Sequence, residues 1–157
     1  MVNVETNTGG ELSFDVECAW CGTIMGQSTV EGSHSICPEC YRQVMGVPNM
    51  TYEDLNALPF GVIGLDAKGK VVSYNRAEEV IAGRHAEDVV GRNFFEEVAP
   101  CTKVREFHGR FQEFMAGDEE SKKFFFTFRF EKGNARVQII FVRGSAGCSV
   151  AVNKIAF

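Results

Sequence analysis

Basic residues are scarce in the first third of this chain. Residues 1–50 contain one base, Arg42, against six acids, whereas residues 51–157 hold fifteen charges of each sign. The whole chain carries a formal net charge of −5, from 16 Lys and Arg against 21 Asp and Glu. This balance has the wrong sign for a protein whose main partner is a phosphate backbone, so we expect no nucleic-acid partner.

Long apolar runs and targeting signals are also missing. No stretch approaches the ~18 consecutive apolar residues that a membrane span needs, so we expect no membrane partner. Residues 1–10 lack the basic start and the apolar run of a secretory signal, and we expect a cytoplasmic protein. The 157 residues, 45% hydrophobic and 24% charged, suit one globular domain with a small appendage.

Phenylalanine is distributed in the opposite way to the negative charge. Thirteen of the 14 phenylalanines follow residue 59, so the large core belongs to the C-terminal two-thirds. Thr51 with Asp54 three residues later is typical of a capping box that opens a short helix, and it follows a connection containing glycine and proline. We therefore predict three parts: an acidic segment over 1–17, a four-cysteine segment over 18–45, and the main domain over 51–157.

Four of the six cysteines form two close pairs. Cys18 and Cys21 are separated from Cys37 and Cys40 by fifteen residues, a spacing that can close a tetrahedral thiolate site for zinc. Nearby glycines supply the bends that such a site needs, and the metal would provide most of the folding free energy of a segment with few large apolar side chains. Two redox-active or disulfide-bonded pairs are the alternative. His34 is a spare ligand that we expect in a solvated loop.

The acidic character of this segment indicates its use. A Zn²⁺ held by four thiolates would add two further negative charges to a segment with one base, so docking of a downstream signalling protein with a basic patch is expected. Residues Ser33 to Cys40 resemble short cysteine-rich segments that accompany sensory domains in bacterial signalling proteins. A homodimer is left open by the sequence.

The main domain shows the periodicities of both strands and helices. Apolar runs over 60–65 and 71–74 flank a turn and predict a hairpin. Asn75 can cap a helix that ends at Gly83, and Phe107, Phe111 and Phe114 fall on one face of a second helix. Three further strands are predicted by alternating phenylalanines at 124, 126, 128 and 130 and by apolar runs over 137–142 and 149–155. This α+β layout resembles the PAS arrangement, a five-stranded antiparallel sheet with helices on one face.

Spacing also brings reactive side chains together. Tyr74, Glu78 and Ala82 at i, i+4 and i+8 would point to one side of the helix, presenting a phenol and a carboxyl together. Cys101 follows a proline-stiffened loop. The spacing alone leaves other roles open, with Tyr74 as a strand-end aromatic, Glu78 as a partner of Asn75 in a capping box and Cys101 as a small buried hydrophobe.

Several motifs together resemble the photoactive yellow protein family. They are Ser73-Tyr-Asn-Arg-Ala-Glu78, Ala82-Gly-Arg84, Val90-Gly-Arg-Asn-Phe-Phe95, Val98-Ala-Pro-Cys101-Thr and Glu106-Phe-His-Gly-Arg-Phe111. The resemblance extends over about two-thirds of the chain, and the order and spacing of the tyrosine, glutamate, arginine and cysteine agree with the family without gaps.

The resemblance implies a blue-light photoreceptor with para-coumaric acid bound to Cys101 as a thioester. It implies that the phenolate is held in the dark by the Tyr74 hydroxyl and a protonated Glu78, and that light-driven trans-cis isomerisation draws the proton from Glu78. It further implies that Arg84 shields the pocket from solvent and that Ile63, Phe94, Val98 and Phe128 line it. Desolvation and the nearby negative oxygen would both keep Glu78 neutral, because both raise its pKa.

The sequence departs from the family at two places. Ala82 stands where the family usually has a threonine whose hydroxyl bonds the tyrosine. The four-cysteine segment replaces the usual N-terminal cap, which loosens on illumination in the family, so we expect this segment to be the moving output element. Equal amide exchange in this segment in darkness and under blue light would contradict that expectation.

Two other functions stay open from the sequence. One is a PAS module that binds another ligand or only protein partners, without photochemistry. The other is an enzyme with Cys101 as nucleophile, which we do not favour because His85 and His108 have no evident link to that thiol. We therefore expect no catalysis.

Overall fold

Contacts along the chain are concentrated within two units, a smaller N-terminal one and a larger C-terminal one. The computed structural model describes residues 4–6, 12–28, 34–130, 133–145 and 147–155. Its units are Met1–Gln43 and Val44–Phe157. Residues 1–3 and 7–11 of the predicted acidic segment lie outside the described residues. The three-part division proposed from the sequence stays a prediction.

The N-terminal unit contains a small sheet around its cysteines. The central strand β2 is antiparallel to β1 and β3 and pairs in parallel with β4 through Glu17 and Cys18. The sequence predicts bends here but no strands, so this sheet is a finding of the structure; the backbone of His34 lies in β4 instead of the expected loop. The strands are β1 Val4–Thr6, β2 Leu12–Cys18, β3 Ile24–Ser28 and β4 His34–Ser35, and helix α1 follows at Pro38–Met45.

The C-terminal unit contains the predicted five-stranded sheet. Its order is β6-β5-β9-β8-β7, with every neighbouring pair antiparallel. Gly69, at φ +88°, makes the turn of the first hairpin, a conformation that favours glycine. The strands are β5 Gly61–Asp66, β6 Val71–Tyr74, β7 Ser121–Phe130, β8 Gly133–Arg143 and β9 Gly147–Lys154.

Short helices connect the strands of this sheet. Thr51 and Asp54 form the predicted capping box, and α3 starts at the Asn75 cap and ends at Gly83, whose φ is +71°. The helices are α2 Tyr52–Asn56, α3 Arg76–Ala82, α4 Ala86–Val89 and α5 Arg110–Ala116; π-helical turns cover Phe94–Val98 and Arg105–Gly109, and 3₁₀ turns cover Val47–Asn49 and Pro100–Thr102. No helix among the described residues is long and apolar enough to cross a membrane.

Phenylalanine rings build the core between these helices and the sheet. Phe107 is fully buried, and six other rings surround it with centroid distances of 5.1–6.0 Å. On β7, Phe124 and Phe128 are buried while Phe125 is 44% exposed, which confirms the predicted alternation. The six rings are those of Phe94, Phe95, Phe124, Phe126, Phe128 and Phe141. Two of these side chains, Phe94 and Phe128, also line the cavity described next.

Candidate functional site

Asn75 fixes the junction between β6 and α3, and with it the positions of Tyr74 and Glu78. Its side-chain oxygen accepts hydrogen bonds from the backbone N–H groups of Val62 at 2.8 Å and of Glu78 at 3.1 Å. Its amide donates to the carbonyl oxygens of Leu55 at 2.7 Å and Phe60 at 3.0 Å. This buried amide therefore caps the helix and ties it to two other segments.

The Glu78 carboxyl is buried without a full set of partners. The side chain is 1% exposed, and its Oε2 atom has no hydrogen-bond partner among the described residues. Burial raises the pKa of Glu78 to about 8, so the carboxyl is mainly protonated at neutral pH. A Cβ added at Gly61 on β5 would lie 2.0 Å from Oε2, and only glycine there leaves room for the carboxyl.

Tyr74 presents a second neutral donor next to Glu78. The residue is 4% exposed, and burial raises the pKa of its phenol far above the ordinary value. The Glu78 carboxyl raises that pKa further, while the positive charge of Arg84 lowers it. Two uncharged O–H groups are thus available to hold a negative oxygen, which needs donors and no competing acceptor.

Most of the site residues predicted from the sequence line one internal cavity. Its volume is about 90 Å³, well above the ~10–15 Å³ that a single water requires. Ile63 is an exception: it is buried in the core, pairs with Tyr74 across the β5–β6 ladder and is not among the residues lining this cavity. The predicted residues that do line it are Tyr74, Glu78, Arg84, Phe94, Val98, Cys101 and Phe128. Ala82 lines it as well, together with the unpredicted Ala99, Pro100, Arg129 and Phe130.

A short hydrogen-bonded turn carries Cys101 at this cavity. The turn Pro100–Thr102 is held by Thr102, which is fully buried and whose Oγ1 donates to the Ala99 carbonyl oxygen at 2.6 Å. Arg84 donates from Nη1 to the Val98 carbonyl oxygen at 2.6 Å. Arg84 also lines an adjoining outer cavity, and its shielding role stays a prediction.

The two histidines of the C-terminal unit make contacts away from Cys101. His108 packs against the ring of Phe95 at 4.3 Å, and His85 faces Glu79 at 3.8 Å. Neither of these two histidines lines the cavity that Cys101 shares with Tyr74 and Glu78.

The four N-terminal cysteines converge on one point. Their sulfur atoms all lie within 4.8 Å of one another, and Cys21 and Cys37 are 3.8 Å apart. Zn–S bonds of ~2.3 Å in a tetrahedron place the sulfurs about 3.8 Å apart, so this geometry fits a metal ion. The sulfur of Cys18 accepts from the backbone N–H groups of Trp20 and Cys37, at 3.4 Å and 3.3 Å, which favours thiolate ligands.

Comparisons with known proteins agree with the fold. Residues 52–146 match the PAS fold. The chain is 50% identical over 91 residues to photoactive yellow protein of Halochromatium salexigens, covering 58% of this chain and 73% of that protein. It is 44% identical over 82 residues to photoactive yellow protein of Cereibacter sphaeroides, covering 52% and 66% of the two chains.

A solved structure of a photoactive yellow protein domain is also similar to this chain. The photoactive yellow protein domain of the sensor histidine kinase Ppr from Rhodospirillum centenum is 35% identical, with a TM-score of 0.63, over 71% of this chain and 97% of that domain. The C-terminal unit is therefore a sensory PAS module. Within that class, the chain belongs to the photoactive yellow protein family.

Proposed function

We propose that the protein is a blue-light photoreceptor whose chromophore, para-coumaric acid, is bound to Cys101 as a thioester. The observation that carries this proposal is the buried, unpartnered Oε2 atom of Glu78, a residue that lines one cavity together with Tyr74 and Cys101. A thiol at one side and two neutral donors suit a molecule with an acyl group at one end and a phenolate at the other. The residues present thus fit the chromophore that the family resemblance implies.

The chain's own residues would act in sequence. When bound, para-coumarate supplies a double bond that light isomerises and a phenolic oxygen that changes place. Tyr74 and Glu78 would hold this oxygen in the dark by donating their O–H groups, and Glu78 would then transfer its proton to the same oxygen. The resulting Glu78 carboxylate would be buried and unpaired, which costs on the order of several kcal/mol. Local unfolding that lets water reach the carboxylate would relieve this cost and produce the signal.

Loading of the chromophore-free protein tests this proposal. The protein is incubated with activated para-coumarate, and intact mass and visible absorption are followed. We expect one covalent adduct per chain and a visible band that bleaches reversibly under blue light. An adduct without light-dependent absorption, or no adduct, would instead favour a PAS module that binds another ligand or only protein partners.

The residue at position 82 should affect the pKa of the bound phenol in the dark. The variant Ala82→Thr places a hydroxyl at the last residue of α3, facing the cavity, where it can bond Tyr74. One such hydrogen bond is worth on the order of 1 kcal/mol, so we expect the pKa of the bound phenol to fall by about 0.7 pH unit. Titration of the visible band measures the change. Ala82→Val, which has a similar shape without the hydroxyl, should not lower the pKa; equal titration of wild type and Ala82→Thr would contradict the idea.

The N-terminal unit is proposed to bind one zinc ion through Cys18, Cys21, Cys37 and Cys40. We expect one zinc per chain after dialysis and about tenfold or greater loss of affinity in Cys37→Ser, because a complete thiolate set is lost. Competition with a chelating dye measures the affinity. Cys148→Ala removes a thiol of the other unit and should leave the zinc affinity unchanged. Retention of full zinc affinity by Cys37→Ser would show that these four thiols are not the ligand set.

A further inference from the structure

Cys101 lines a second cavity on the outside of the domain. This outer groove has a volume of about 500 Å³. Its wall includes Cys101, Val104, Glu106, Phe125, Arg129 and Arg136. Val104 and Phe125 are 43% and 44% exposed, so the groove is accessible from solvent. The Cys101 residue thus stands between the internal cavity and an open surface site.

Strand register explains why these groove residues lie together. Alternation along β7 turns Phe125, Thr127 and Arg129 to the face opposite the buried phenylalanines. Arg136 on β8 pairs with Thr127, so its side chain lies on that same face between its diagonal neighbours Phe125 and Arg129. The guanidinium of Arg136 is 5.4 Å from the centroid of the Phe125 ring. Two cations and an exposed aromatic ring are therefore grouped beside the thiol.

The charge of the groove is positive in a chain whose net charge is negative. Arg129 and Arg136 outnumber the one acid on the wall, Glu106. In the part of the chain that the structure describes, neither arginine is in an ion pair. Arginines without an acidic partner next to an exposed aromatic ring suit a ligand that carries phosphate groups together with flat or apolar parts.

The chemistry at Cys101 requires an activated donor from outside. Condensing a free carboxylate with a thiol does not proceed spontaneously in water, so the acyl group must arrive on a carrier. With a thioester donor, the Cys101 sulfur bonds to the acyl carbonyl carbon and the bond between that carbon and the carrier sulfur breaks. The thiol proton of Cys101 passes through water to the departing thiolate. No oxidant or reductant is consumed.

We propose that the outer groove docks the carrier of the chromophore donor, an acyl thioester of a phosphate-bearing thiol. The acyl group would enter the internal cavity while the carrier stays on Arg129, Arg136 and Phe125. This inference rests on the proposed function, because it presumes that Cys101 is acylated. It assigns to the groove a role in loading that is separate from light sensing.

Loading rates with two donors test the proposal. Chromophore-free protein is mixed with para-coumaroyl-coenzyme A, whose carrier has phosphates, or with the para-coumaroyl thioester of thiophenol, whose carrier has no charge. In the variant Arg136→Gln we expect loading from the coenzyme A thioester to slow by about tenfold or more, and loading from the thiophenol thioester to stay within about twofold. Absorbance and intact mass follow the adduct.

A matched variant separates docking from other effects. Arg136 lines the outer groove but not the internal cavity, so Arg136→Gln leaves the residues around the acyl group unchanged. Arg92→Gln removes the same charge from an exposed position outside the groove and should load normally from both donors. Equal slowing with both donors, or no slowing with either, overturns the docking proposal. Failure of wild type to load from both donors overturns the proposed function instead.

Discussion

Replacing Cys101 by alanine is expected to abolish the pigment completely. The variant Cys101→Ala should show neither the visible band nor an added mass after incubation with activated para-coumarate. The physical reason is that Cys101 brings a thiol to the cavity that Tyr74 and Glu78 also line. Intact mass and an absorption spectrum, recorded on wild type and variant in parallel, measure the effect.

Cys148 provides the matched control for this experiment. It is 3% exposed in the same unit, and burial raises the pKa of its thiol to about 12, so little reactive thiolate is present at neutral pH. Cys148→Ala should therefore load as fully as wild type. Pigment retained in Cys101→Ala and lost in Cys148→Ala would place the chromophore elsewhere and refute the assignment of the cavity.

The C-terminal fold could be predicted because its sequence carries strong local signals. The alternation of Phe124, Phe125 and Phe128 identifies both a strand and its buried face. The Asn75 cap and the Gly83 stop limit α3 to within a residue. Where the side-chain pattern and the backbone preferences of a segment indicate the same element, the local sequence is sufficient to predict that element.

The N-terminal sheet could not be predicted in the same way. β1 and β4 have only three and two residues, too few for a period of two to be recognised. β2 is interrupted by a register shift at Val16 and Glu17, where it pairs with β3. The four cysteines could be grouped from their spacing because a metal site depends on short turns, which are local in sequence.

Sequence spacing identified the reactive residues of the candidate site but not the residues that pack around them. Tyr74 and Glu78 share one helix junction and could be paired from sequence, and Cys101 was recognised through the family motif. Gly61 was missed because its closeness to the Glu78 carboxyl arises from the packing of α3 on β5. Arg129 was missed because its position at the cavity depends on how β7 passes the turn that holds Cys101.

The buried carboxyl should make the stability of the chromophore-free protein fall as pH rises. Glu78 in the unfolded chain ionises near its ordinary pKa of 4.5, whereas in the folded chain its pKa is about 8. Between these values the folded state holds a proton that the unfolded state has lost, so each rise of one pH unit costs the folded state about 1.4 kcal/mol. The stabilisation is fully present below pH 4.5 and is lost as pH rises toward about 8.

The variant Glu78→Gln should remove this dependence, because an amide cannot ionise. The free energy of unfolding of wild type, measured by urea denaturation, should decrease relative to that of Glu78→Gln by about 5 kcal/mol from pH 4.5 to 8. Glu87→Gln changes an exposed carboxyl and should follow wild type at every pH. If wild type and Glu78→Gln lose stability in parallel, the carboxyl is already ionised in the folded protein. Burial alone would then not keep the carboxyl protonated before the chromophore binds.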